Sequence, residues 1–105
     1  MNGAGSRLTL KTSMMKTVFN FYTDPGHGWL KVPFSLLVEL GIENDISAYS
    51  YMRGEFAYLE EDCDASLFDK VMRERGIEPR YHVQTAEKQS KIRGYAYYRY
   101  LKSAA

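Results

Sequence analysis

Several groups of residues in this chain are of types that could do chemistry. Asp24 and His27 share the string Thr23-Asp24-Pro25-Gly26-His27-Gly28. A carboxylate that orients an imidazole is half of a general-base arrangement. The only nucleophile beside it is Thr23, and a stretch rich in Pro and Gly also makes a structural turn or an exposed recognition loop. Glu60-Glu61-Asp62-Cys63-Asp64 offers oxygen ligands for Mg²⁺ or Ca²⁺, but without the alternating spacing and distal Glu of an EF-hand loop. The same acids can instead serve a helix N-terminus through capping and the dipole. Cys63, His27 and His82 lack zinc-finger spacing. Carboxylates on both sides of Cys63 disfavour its thiolate, so it is expected to pack rather than react. No metal and no cofactor is expected.

The strongest binding signal is at the C-terminal end. Lys88, Lys91, Arg93, Arg99 and Lys102 interleave with Tyr95, Tyr97, Tyr98 and Tyr100. Positive charge meets phosphate and tyrosine faces stack on bases, as in single-strand binders. The composition equally fits an edge strand with its tyrosines inward, or a clamp on the acidic middle of the chain. No RRM, KH or helix-turn-helix pattern accompanies it.

These groups must be positioned by a short series of elements. Lys16–Thr23 alternates, with Phe19 and Phe21 on one side, and Trp29–Val32 returns after the Asp24–Gly28 turn, whose glycines are expected to accept positive φ. A helix follows from Pro33 to Leu40, closed by Gly41-Ile42 in a Schellman cap. A second hairpin is expected over 46–61, with Tyr49 and Tyr51 on one face of its first strand and the turn at Arg53-Gly54. Asp62 or Asp64 then caps a helix over 65–75 that ends at a second Gly-Ile pair, Gly76-Ile77. Arg80–Gln84 reads as a fifth strand, while the pattern of 91–101 fits helix and strand alike. The expectation is an α+β domain in the order ββαββαβ: an antiparallel sheet of about five strands with two helices on one face. Residues 1–13 read as a flexible leader before a single domain over 14–105, and translation could start at Met1, Met14 or Met15.

The 105 residues suit one core without staples. One cysteine, no secretory signal pattern and no apolar run of membrane-spanning length point to the cytoplasm. The net charge of +1 is unevenly spread: residues 39–69 carry nine acids against Arg53, and residues 80–105 carry six bases against Glu87. The two zones either form opposed faces or neutralise each other on folding.

The strings YTDPGHGWLKVP, ISAYSYMRGEFAYLEEDCDASLF and SKIRGYAYYRY resemble a family of small uncharacterised proteins of bacteriophages, prophages and other mobile elements. The likeness covers roughly residues 16–100, and Phe34 departs from it where the family carries a charged residue. No activity accompanies it, so no catalytic role passes to any residue. It implies a phage accessory protein inside a bacterial host; tyrosine-rich surfaces and separated charge suit binding of a host or phage protein, as an inhibitor or in counter-defence. The expected function is non-enzymatic protein binding, with Asp24, His27, Lys91, Arg93, Tyr97, Tyr98 and Arg99 as contact candidates. Nucleic-acid binding through the basic, tyrosine-rich end is the alternative.

Overall fold

The computed structural model describes residues 17–99, so the expected leader, Tyr100 and Lys102 lie outside it. The elements run β1 (Val18–Thr23), β2 (Gly28–Pro33), α1 (Phe34–Leu40), β3 (Tyr51–Arg53), β4 (Phe56–Glu60), α2 (Asp64–Glu74), β5 (Arg80–Thr85), a 3₁₀ turn (Lys91–Gly94) and β6 (Ala96–Tyr97). The α+β class holds, with one six-stranded sheet ordered β5-β1-β2-β4-β3-β6. Five strands were expected; the sixth is the two-residue β6, too short to leave a period in the sequence.

The sheet is mixed rather than antiparallel, because β5 lies parallel to β1, with Phe19 opposite Tyr81 and Phe21 opposite Val83. Following the directions through the antiparallel pairs makes β2 parallel in sense to β3, and β4 to β5. Each helix is therefore a crossover between two like-directed strands. One crossover moves along the sheet in one direction and the other, starting from an oppositely directed strand, moves back. Crossovers of the same hand must then fall on the same face, which is where both helices lie.

Strand alternation does the rest. Phe19, Leu30, Val32, Ala57 and Leu59 point to the helices and pack with Leu36, Leu37, Leu40, Phe68 and Met72 in the main core. Phe19 meets Phe68 edge-on, with ring centroids 5.1 Å apart. Each of the larger of these side chains contributes about 1.5–3 kcal/mol by leaving water. Both helices end as the two Gly-Ile pairs imply. Gly41 and Gly76 have φ of 75° and 78°. The following amides, of Ile42 and Ile77, donate to the carbonyls of Leu37 and Met72, each at 3.0 Å.

Three local expectations are corrected. Residues 46–50 form turns rather than strand, so Tyr49 precedes β3 and does not share its face with Tyr51. The N-cap position of α2 is Cys63, with no side-chain cap bond, and Asp64 already belongs to the helix. Gly26 and Gly28 have no positive φ; they are needed for space. A Cβ at Gly28 would stand 2.7 Å from the Phe21 ring, and one at Gly26 would stand 3.0 Å from the Arg93 guanidinium.

From the end of β5 the chain must reach β6 at the opposite edge. Five strand spacings are about 24 Å, and ten extended residues reach about 33 Å. Residues 86–95 therefore cross the helix-free face of the sheet as a strap, with enough length for one 3₁₀ turn.

Candidate functional site

The strap is fastened at the loop that attracted chemical interest. The Asp24 side chain is fully buried. Its Oδ2 accepts from Arg93 Nε at 2.7 Å and from the Ser90 amide at 2.8 Å. Its Oδ1 accepts from the second Arg93 nitrogen at 2.8 Å and from the amides of Gly26 and His27, both at 3.0 Å. Arg93 above all, then these amides, holds the Asp24 carboxyl well below the usual carboxylate range against the opposing effect of burial. Asp24 in turn raises the Arg93 guanidinium. Of the readings open for this string, the carboxylate–imidazole pair does not form and the structural turn does: His27 gives Asp24 its backbone amide, and its ring lies 6.0 Å from that of Trp29. With both oxygens committed, Asp24 is a structural anchor.

Under the strap lies a second, aromatic layer. Trp29, Tyr58 and Ile92 are buried there, with Tyr22, Tyr51, Phe56 and Tyr95 packed around them. Arg93 sits over the Trp29 ring at 5.4 Å while it grips Asp24. The strap divides this face into two clefts. One, about 410 Å³, is lined by the aromatic residues His27, Trp29, Tyr49 and Tyr51 together with Glu60, Asp62, Cys63 and Arg93. Tyr49 also borders a neighbouring apolar hollow shared with Ala48 and Tyr97. On the other side of the strap is a smaller pocket walled by Tyr22, Tyr58 and Tyr95 with Lys31 and Lys91.

Charge differs between the two clefts. In the first, the Arg93 charge is answered by Asp24, which leaves Glu60 and Asp62 as the uncompensated charges. Glu60 accepts the amides of Asp62 and Cys63. Among the described residues, neither acid ion-pairs with a base. No group of three or more His, Cys, Asp or Glu comes together among the described residues to hold a metal ion.

The candidates from the sequence scatter across this frame. Asp24, His27 and Arg93 meet at the strap anchor. Lys91 faces the smaller pocket. Tyr97 is 68% exposed and stacks on Tyr51, with centroids 5.6 Å apart and planes at 21°. Tyr98 points the other way. It is only 5% exposed, joins the main core and donates its hydroxyl to the Glu43 carbonyl at 2.6 Å. Arg99 is exposed at the end of the described chain. Cys63, expected to pack, is exposed. Tyr49, Tyr51 and Lys31 line these clefts without standing among the contact candidates, whereas Trp29 is buried beneath them. Period-two alternation marks Trp29, Lys31 and Tyr51 as one sheet face, but only the crossing strap makes that face a site. No helix of the described residues is long and apolar enough to cross a membrane. Comparison with family models, curated proteins and solved structures gives no match to this chain.

Proposed function

We propose that this is a non-enzymatic recognition protein that binds a protein partner through the surface of Tyr49, Tyr51 and Tyr97, which joins the larger cleft to the hollow beside it. The observation that carries this reading is the exposure of the two tyrosines that frame it: Tyr49 is 78% exposed and Tyr97 68%. Tyrosine gives large contact area at low entropic cost and a hydroxyl for hydrogen bonding, and it dominates recognition surfaces. Tyr97 is braced by its stack on Tyr51, so little ordering remains to oppose binding. The partner is a host or phage protein on the resemblance above, and the bacterial cytoplasm is the matching setting.

Nucleic acid fits less well, because the fold uses up much of the C-terminal signal. Arg93 is tied to Asp24 and Tyr98 lies in the core. Glu60 and Asp62 beside the exposed tyrosines repel a polyanion. The test is capture from bacterial lysate with and without nuclease, using the parent and a Tyr49→Ala/Tyr97→Ala variant. The expected outcome is a discrete protein that survives nuclease and binds the variant about thirtyfold or more less tightly, corresponding to about 2 kcal/mol. Melting temperature should be nearly unchanged, since both side chains face water. Capture that depends on nucleic acid, or sub-micromolar oligonucleotide binding at about 0.15 M salt, would replace this reading.

A further inference from the structure

The pocket on the far side of the strap has a different chemistry and does not depend on the protein-recognition reading. We infer that Tyr22, Lys31, Tyr58, Lys91 and Tyr95 form a binding site for a terminal phosphate group. Apart from Ile92, every residue lining the space carries a hydrogen-bonding side chain, and no carboxylate lines it. Lys31 is held by aromatic faces, its Nζ 4.2 Å from the Phe56 ring centroid and 6.0 Å from that of Tyr58. Those contacts position the ammonium without neutralising it. Among the described residues, neither Lys31 nor Lys91 ion-pairs with an acid. Two positive charges therefore border one small cavity with no answering negative charge.

The phenols supply the remaining contacts. Tyr58 and Tyr95 meet edge to face with centroids 5.0 Å apart. Burial, followed by the proximity of Tyr95 and Tyr22, pushes the Tyr58 hydroxyl up from its ordinary value. It stays protonated at neutral pH and is shared with the Tyr95 hydroxyl, so it adds no negative charge to the cavity. Phosphate carries a charge of about −1.5 to −2 and three strong acceptor oxygens, which suits a cavity lined by two ammonium-bearing side chains, tyrosines and Ser90. A carboxylate supplies half that charge. The cavity, about 250 Å³, is smaller than the ~300–1,000 Å³ of sites that enclose a drug-sized molecule. It takes the phosphate and leaves its bearer outside.

Inorganic phosphate, a tripeptide with central phosphoserine, its unphosphorylated form and acetate are titrated into the full chain at constant ionic strength near neutral pH. Amide chemical shifts report occupancy. Saturable binding of phosphate and phosphopeptide is expected, with shifts centred on residues 31, 58 and 91. Tighter binding of the phosphopeptide assigns the phosphate to a protein partner, and equal binding assigns it to the free ion. Lys31→Gln and Lys91→Gln should each weaken binding about tenfold, as loss of a charge-assisted contact does. Tyr22→Phe should weaken it less. Lys91 is exposed and its variant has no packing to lose, so Lys91→Gln remains decisive should Lys31→Gln disturb Phe56. Acetate binding as well as phosphate, or affinity unchanged in Lys91→Gln, would overturn the inference. Absence of saturation by phosphate in the parent protein would do the same.

Discussion

Asp24 and Asp64 are both buried, yet the fold accommodates them by opposite means. Asp24 is met by a guanidinium from 69 residues away and by three backbone amides. Among the described residues, no cation meets Asp64. Its Oδ2 accepts the hydroxyls of Ser47 at 2.6 Å and Ser50 at 2.5 Å, and the Ser47 amide donates to both oxygens. Ser50 then accepts the Glu60 amide at 2.8 Å, so the charge is spread through a small network tying the 46–50 turns to α2 and β4. A cation joins segments distant in sequence; neutral dipoles serve where neighbours are closer in the chain.

That contrast implies unequal damage. The largest effect should come from Arg93→Ala, which strands a buried carboxylate and frees the strap. Removing one partner of a buried pair is far worse than removing both. The melting temperature should fall by about ten degrees or more, and the double change Asp24→Asn/Arg93→Met should recover much of the loss. A single variant within two or three degrees of the parent would show that the strap is held by Ile92 and Tyr95 instead.

Asp64→Ala should rank second. Two hydroxyls and an amide lose their acceptor but lie near enough to the surface for water to reach some of them. A cost of about 2–3 kcal/mol is expected from the urea midpoint, with the slope unchanged. A loss as large as that of Arg93→Ala would erase the distinction between the two sites.

The smallest effect is in acid. The Asp24 carboxyl is held well below its usual range by Arg93 first, then by the amides of Ser90, Gly26 and His27. Its stabilisation is complete above the unfolded-chain value of about 3.9 and is lost as pH falls from there toward the folded value. Below about pH 4 the parent should therefore lose stability more steeply than Arg93→Ala. Parallel curves would mean that other carboxylates dominate acid unfolding.

The elements visible in the sequence are those set by short-range rules. The Asp24–Gly28 turn, the alternation of Phe19 and Phe21, and the two Gly-Ile helix exits each involve residues a few places apart. The elements set by distant pairing were not visible. Nothing local in Arg80–Thr85 tells whether it joins β1 in parallel or another edge in antiparallel. Residues 46–50 have the composition of a strand, but Asp64 draws Ser47 and Ser50 out of line. The site was half legible. Basic and aromatic residues near the C-terminus were evident, but which of them are consumed in structure depends on Asp24 and Glu43, both far away in the chain.

Both edges of the sheet are supplied by residues after Pro79: β5 covers β1 on one side and β6 covers β3 on the other. During synthesis the first 79 residues thus leave the ribosome with both hairpins and both helices encoded, yet with two strands whose outer amides and carbonyls have no partner. Such edges template pairing between chains. Residues 80–97 cover both in a single excursion, and the edges they present instead are a polar, charge-bearing β5 and a two-residue β6. A chain stopped just short of Arg80 would retain most of its hydrophobic core and still be a poor monomer.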